Sequence, residues 1–97
     1  MLYTVNKSPF STNHLESVLH IAPAGAPILL YEDGTYAVAQ GTQVAALVQT
    51  AMARHPIYAL EADLEARGIR RVLEGVQVIN YDGFVQLVEQ HDVAPWL

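Results

Sequence analysis

Apolar positions are densest in the stretch Pro27-Ile28-Leu29-Leu30-Tyr31-Glu32-Asp33-Gly34, where a run of large apolar residues is opened by a proline and closed by an Asp-Gly turn. An uninterrupted run of strand length suits a strand buried on both faces; a half-exposed strand would alternate. Covering both faces requires helices above and below, so this octet predicts the middle strand of a mostly parallel sheet in a three-layer α/β/α fold.

The flanking pattern repeats strand and helix. Leu2 to Val5 reads as a first strand, broken by Asn6 and the Ser8-Pro9 pair. Leu15, Val18, Leu19 and Ala22 fall at i, i+3, i+4 and i+7 and predict a helix. Asn13 and Glu16 have the form of a capping box at its start, and Pro23 and Gly25 close it. After the central strand, Asp33-Gly34 permits either a hairpin into a strand Tyr36 to Ala39 or a short helical stretch through Val38 capped by Asp33; the lack of alternation favours the helix. Thr42 is expected to cap a helix with Val44, Leu47, Val48 and Ala51 inward, and with Arg54 and His55 at the negative end of its dipole before Pro56.

Ile57 to Leu60 predicts a third strand, Glu61 to Arg67 a short helix ending before Gly68, and Val76 to Ile79 a fourth strand, with residues 69–75 irregular or half-helical. Asp82 is expected to cap a last helix with Phe84, Leu87, Val88 and His91 on its buried face. The apolar tail Val93 to Leu97 carries the only tryptophan and reads as a docking segment, against its own domain or a partner. The whole predicts one domain over residues 1–97, a four- to five-stranded sheet with right-handed crossovers. Ligands in such sheets sit beyond the carboxyl ends of the strands, here Asn6-Lys7-Ser8, Glu32-Asp33-Gly34, Glu61 to Asp63 and Asn80-Tyr81-Asp82.

Composition adds a partner to this picture. Hydrophobic residues make up 52% of the chain and charged residues 15%, against about 25% in an average soluble domain. A surface so poor in charge exposes apolar patches that another subunit is expected to cover, with His20, Tyr36, Trp96 and Leu97 the expected contact residues. The net charge of −5 opposes direct binding to a phosphate backbone, so no nucleic-acid partner is expected. With no cysteine the chain has no disulfide, no thiolate metal site and no cysteine nucleophile. No apolar run reaches signal-peptide or membrane-spanning length, and the chain is expected to be cytoplasmic.

Candidate chemistry at the carboxyl edge is sparse. Asp33, Glu61, Asp63 and Asp82 could build a divalent cation site, yet acids at helix starts are explained by capping, and no ligand spacing is present. A nucleotide site would want a glycine-rich loop after the first strand, where Asn6-Lys7-Ser8-Pro9-Phe10 stands instead. His14 and His20 are six apart and point away from each other on a helix, and His91 belongs to an apolar stripe. No glycine elbow marks Ser8, Ser11 or Ser17 as a nucleophile. A small metal- or nucleotide-binding enzyme domain is therefore the rival reading; the favoured one has no catalytic residue, cofactor or metal.

The segments Thr4 to Phe10, Leu15-Glu16-Ser17, Leu29 to Ala37, Tyr58-Ala59-Leu60 with Asp63-Leu64 and Ala66-Arg67-Gly68, and Tyr81 to Val85 closing on Trp96-Leu97 together resemble the TusB/DsrH family, nearly end to end. The resemblance implies a flavodoxin-like, DsrE-like fold and a place in a heterohexameric sulfur-relay complex with TusC/DsrF-like and TusD/DsrE-like subunits. In one branch such a complex passes persulfide sulfur from TusA toward TusE and MnmA for 2-thiolation of the tRNA wobble uridine; in the other it serves dissimilatory sulfur oxidation. Members of the second branch carry a cysteine in the first helix, where this chain reads Leu15-Glu16-Ser17-Val18-Leu19. Val18 stands in the place of that thiol, so the resemblance implies a non-catalytic subunit whose partner holds the persulfide, with tRNA thiolation the favoured pathway and sulfur oxidation the alternative.

Overall fold

The computed structural model describes residues 1–96, the side chain of Trp96 excepted. Its elements are β1 (Leu2–Val5), α1 (His14–Ile21), β2 (Ile28–Leu30), a 3-10 helix (Glu32–Val38), α2 (Ala45–Met52), β3 (Ile57–Leu60), α3 (Glu61–Ala66), β4 (Gln77–Ile79), α4 (Tyr81–Gln90) and β5 (Val93–Trp96). The strands form one sheet in the order β4-β3-β2-β1-β5, every pair parallel. β2 is the middle strand, and all three of its residues are buried.

That order dictates how the helices are shared out. Steps from β1 to β2 to β3 to β4 all move the same way across the sheet, so right-handed crossovers place α1, α2 and α3 on one face. The return from β4 to β5 runs the other way past β1 and puts α4 on the opposite face. The core is split to match. Tyr3, Val5, Ile28, Leu30, Ile57 and Ala59 point into a large cluster with Leu15, Val18, Val48 and Leu64, while Leu2 and Leu29 meet Leu87, Phe84, Tyr58 and Ile79 on the α4 side. The architecture is the expected three layers, with one outer layer a single helix.

Several local expectations need correction. Asn13 does stand at the start of α1, but its φ of −102° and ψ of 20° are not those of a capping residue, and its side chain caps nothing. The 3-10 helix begins at Glu32, so Asp33 lies inside it rather than capping it. α2 starts after Val44, not Thr42, whose hydroxyl oxygen is buried without a hydrogen bond among the described residues. Asn80, not Asp82, caps α4, accepting from the N–H of Gly83 at 2.9 Å. Of the expected inward stripe on α4, Leu87 is buried and Phe84 half-buried, but Val88 is 40% exposed. His91 is half-buried just past the helix end.

The tail is a strand. Leu2 pairs with Val93, Tyr3 with Ala94, Thr4 with Pro95 and Val5 with Trp96. Pro95 is tolerated because β5 is an edge strand with only one neighbour to bond. At the other end of β1 the chain is packed backbone on backbone. The 3-10 helix crosses so close that a Cβ on Gly34 would collide with the carbonyl oxygen of Val5. Only glycine lets that helix approach the end of β1.

Candidate functional site

The carboxyl edge of the sheet is held together by its own polar groups. Beyond β1, the carbonyl of Ser8 accepts from the N–H of Ser11 at 3.2 Å and of Thr12 at 3.1 Å, and the Ser8 hydroxyl oxygen accepts from the N–H of Phe10 at 3.1 Å. These bonds make residues 8–12 a turn that delivers the chain into α1, and they give the Ser8 hydroxyl and carbonyl a structural task. Asn6 Oδ1 and His14 Nδ1, at the end of β1 and the first residue of α1, are buried with no hydrogen bond among the described residues.

Across the edge, two of the four candidate acids, Asp33 and Asp63, are tied to one arginine. Arg67 donates from Nε to Asp33 Oδ1 at 2.9 Å and from Nη1 to the backbone carbonyl of Asp63 at 3.2 Å, with the Asp63 carboxylate 3.7 Å away. The other oxygen of Asp63 accepts from the N–H of Glu32 at 2.8 Å. Glu32 has φ of 48°, a left-handed conformation unusual for a side-chain-bearing residue, and the Asp63 carboxylate helps to hold it there. Asp33 and Asp63 thus lock α3 to the 3-10 helix, while Asp82 is left in the first turn of α4. Among the described residues no three His, Cys, Asp or Glu side chains form a group fit to hold a metal ion.

The other sequence candidates are scattered. Val18 is 0% exposed, inside the larger core cluster. His20 is exposed near the end of α1, toward the amino ends of the strands, whereas Tyr36 is exposed on the 3-10 helix that follows the carboxyl end of β2. The structure does not bring these two together. The Trp96 side chain and Leu97 lie outside the described residues. His55, expected at the end of a helix dipole, is instead buried, and its Nδ1 donates to the carbonyl of Ala26 at 2.9 Å. With Arg54, Met52 and Gln77 it lines an open cleft of about 410 Å³ near the amino ends of β3 and β4, the end opposite the candidate edge.

A surface that sequence reasoning missed lies on α4. Tyr81 is 62% exposed, Val85 49% and Val88 40%; spaced i, i+4 and i+7, they form one stripe. The signal was present in the breadth of the pattern. Tyr81, Phe84, Val85, Leu87 and Val88 are half of a ten-residue helix and span more of its circumference than one sheet can cover.

Comparison with known proteins fits this arrangement. A family profile described as DsrH like protein matches residues 7–94. The chain is 38% identical over 92 residues to Protein TusB of Serratia proteamaculans, covering 94% of each chain. It is also 38% identical over 99 residues to Protein TusB of Photorhabdus laumondii, covering 99% of this chain and all of that one. Among solved structures it superposes on the crystal structure of the ychN protein from E. coli with a TM-score of 0.84 at 17% identity, over 97% of this chain and 96% of that one, a likeness of fold alone. No helix among the described residues is long and apolar enough to cross a membrane.

Proposed function

The chain belongs to the DsrH-like family, which includes the TusB proteins, and on that premise we propose that it is a non-catalytic subunit of a cytoplasmic sulfur-relay complex. The single observation that carries this reading is the absence of any cysteine. Sulfane-sulfur transfer needs a thiolate to attack the outer sulfur of a persulfide and to release the donor as a thiolate; a polypeptide without cysteine is neither attacker nor donor. The reactive sulfur therefore rides on a partner, and this chain contributes a surface that holds the partner in place.

The buried state of Val18 supports the same reading. The position is a packing position here, filled by a side chain with no chemistry. The partners proposed are TusC/DsrF-like and TusD/DsrE-like subunits in a heterohexamer, with no direct contact between this chain and nucleic acid. The TusB names of its relatives favour 2-thiolation of the tRNA wobble uridine over sulfur oxidation.

The test is a reconstituted relay fed with 35S-persulfide on the upstream donor. Label is expected on partner-subunit thiols and never on this chain, and omission of the chain should cut sulfur flux. Undiminished flux without it, or covalent label on it, overturns the proposal.

A further inference from the structure

The exposed stripe on α4 has a definite charge setting. Asp82 and Glu89 are seven residues apart, two helical turns, and so lie along the same side of the stripe Tyr81, Val85 and Val88. Val93, 40% exposed, pairs with Leu2 and therefore shares the α4 face of the sheet. Residues 72–97 hold four acids, Glu74, Asp82, Glu89 and Asp92, and no lysine or arginine at all. The chain's five cations all precede this segment. An apolar strip bordered by charge of one sign is the anatomy of an interface core with its rim.

We propose that this α4 face is the docking surface for a non-identical protein subunit, one that offers an apolar patch bordered by lysine or arginine. The inference rests on the reading of the chain as one subunit of a relay complex and adds which face is used and what chemistry it meets. A second copy of the same face fits badly. Two copies related by a twofold axis across antiparallel α4 helices would set the Asp82–Glu89 row of one against the same row of the other, with no cation in residues 72–97 of either to relieve it. A basic-rimmed partner covers the valines and neutralises the row in one step. The fold explains why the surface is open: three helices share one side of the sheet, and α4 alone serves the other.

The test co-expresses the full chain with the two relay subunits proposed above and follows complex formation by size-exclusion chromatography with light scattering. Val85→Asp combined with Val88→Asp should weaken association at least about tenfold, because charges then replace apolar contacts at the centre of the interface. Ile21→Asp, an equally polar change on the exposed end of α1 across the sheet, should leave it intact. Should the double valine variant fail to fold by circular dichroism, Asp82→Lys with Glu89→Lys changes only exposed rim residues. It should slow association severalfold in low salt, an effect that fades as salt is raised. Undiminished association of the folded valine variant, or an association rate for the lysine variant equal to the parent's in low salt, overturns the assigned face while leaving the relay reading intact. Failure of the parent chain to bind either subunit overturns both. Self-association of the parent chain that the valine substitutions abolish would identify a second copy as the occupant and overturn the assignment of a non-identical one.

Discussion

Nδ1 of His55 donates to the carbonyl oxygen of Ala26 at 2.9 Å, joining the segments that lead into β3 and β2. The two segments match: Ala26-Pro27-Ile28 and His55-Pro56-Ile57, with Ile28 and Ile57 in register. Proline has no N–H, so below the isoleucines the parallel ladder loses a donor on each strand. The imidazole supplies a cross-strand bond where the backbone cannot. His55→Phe keeps a ring and removes the donor, and should cost about 1–3 kcal/mol. His55→Ala should cost more, because a space is left in the core as well. Urea unfolding checks this, through a lower midpoint at unchanged slope; a His55→Phe chain as stable as the parent would show that the bond contributes nothing.

The two acids that hold Arg67 should separate in stability measurements. Asp63 is largely buried and accepts from the N–H of Glu32, so Asp63→Ala removes the group that steadies a left-handed residue and should cost about 1–2 kcal/mol. Asp33 is 58% exposed, and Asp33→Ala should cost at most about 0.5 kcal/mol and nothing in high salt. Equal losses in thermal melts would mean that Arg67, rather than the Glu32 backbone, is the partner that matters.

Replacement at the start of α4 distinguishes its cap. Asn80→Ala should lower stability by about 1 kcal/mol, since the Gly83 N–H loses its acceptor. Asp82→Ala keeps that bond and loses only its favourable place near the positive end of the helix dipole, a few tenths of a kcal/mol. The order would reverse if the aspartate were the true cap.

Because the chain has no cysteine, any thiol introduced is the sole one. Val18→Cys should be tolerated, being close in size and apolar, and should react with Ellman's reagent at least about 100-fold more slowly than an exposed control such as Ser11→Cys, because reagent reaches it only through opening of the core. The rate should rise to the control's in denaturant. Rapid labelling in buffer would show that position 18 is reachable from solvent.

Much of this fold was legible in short patterns. The buried run at Ile28-Leu29-Leu30 located the middle strand, and stripes such as Leu15, Val18 and Ala22 located helices, because burial imposes a period that polar residues cannot imitate. The failures are of two kinds. Capping residues were misplaced at Asn13, Thr42 and Asp82 because Asn, Asp and Thr satisfy backbone groups in turns as well as in caps, and only geometry decides which. The tail, expected to dock on its own domain or on a partner, does join its own sheet, but as a strand whose neighbour, β1, lies at the other end of the chain, where no local signal reaches. The α4 surface escaped notice for a related reason: a pattern reports that side chains are apolar, while the strand order reports how many helices are available to cover each side.

The pairing of Leu2 with Val93 closes the longest loop in the sheet. On the ribosome, β1 is made before every other strand of the sheet, yet its outer edge stays bare until residues 93–96 have emerged. A nascent or C-terminally clipped chain therefore presents a strand-sized template to other polypeptides, and removal of residues 93–97 should turn a foldable protein into one that pairs with its neighbours and precipitates.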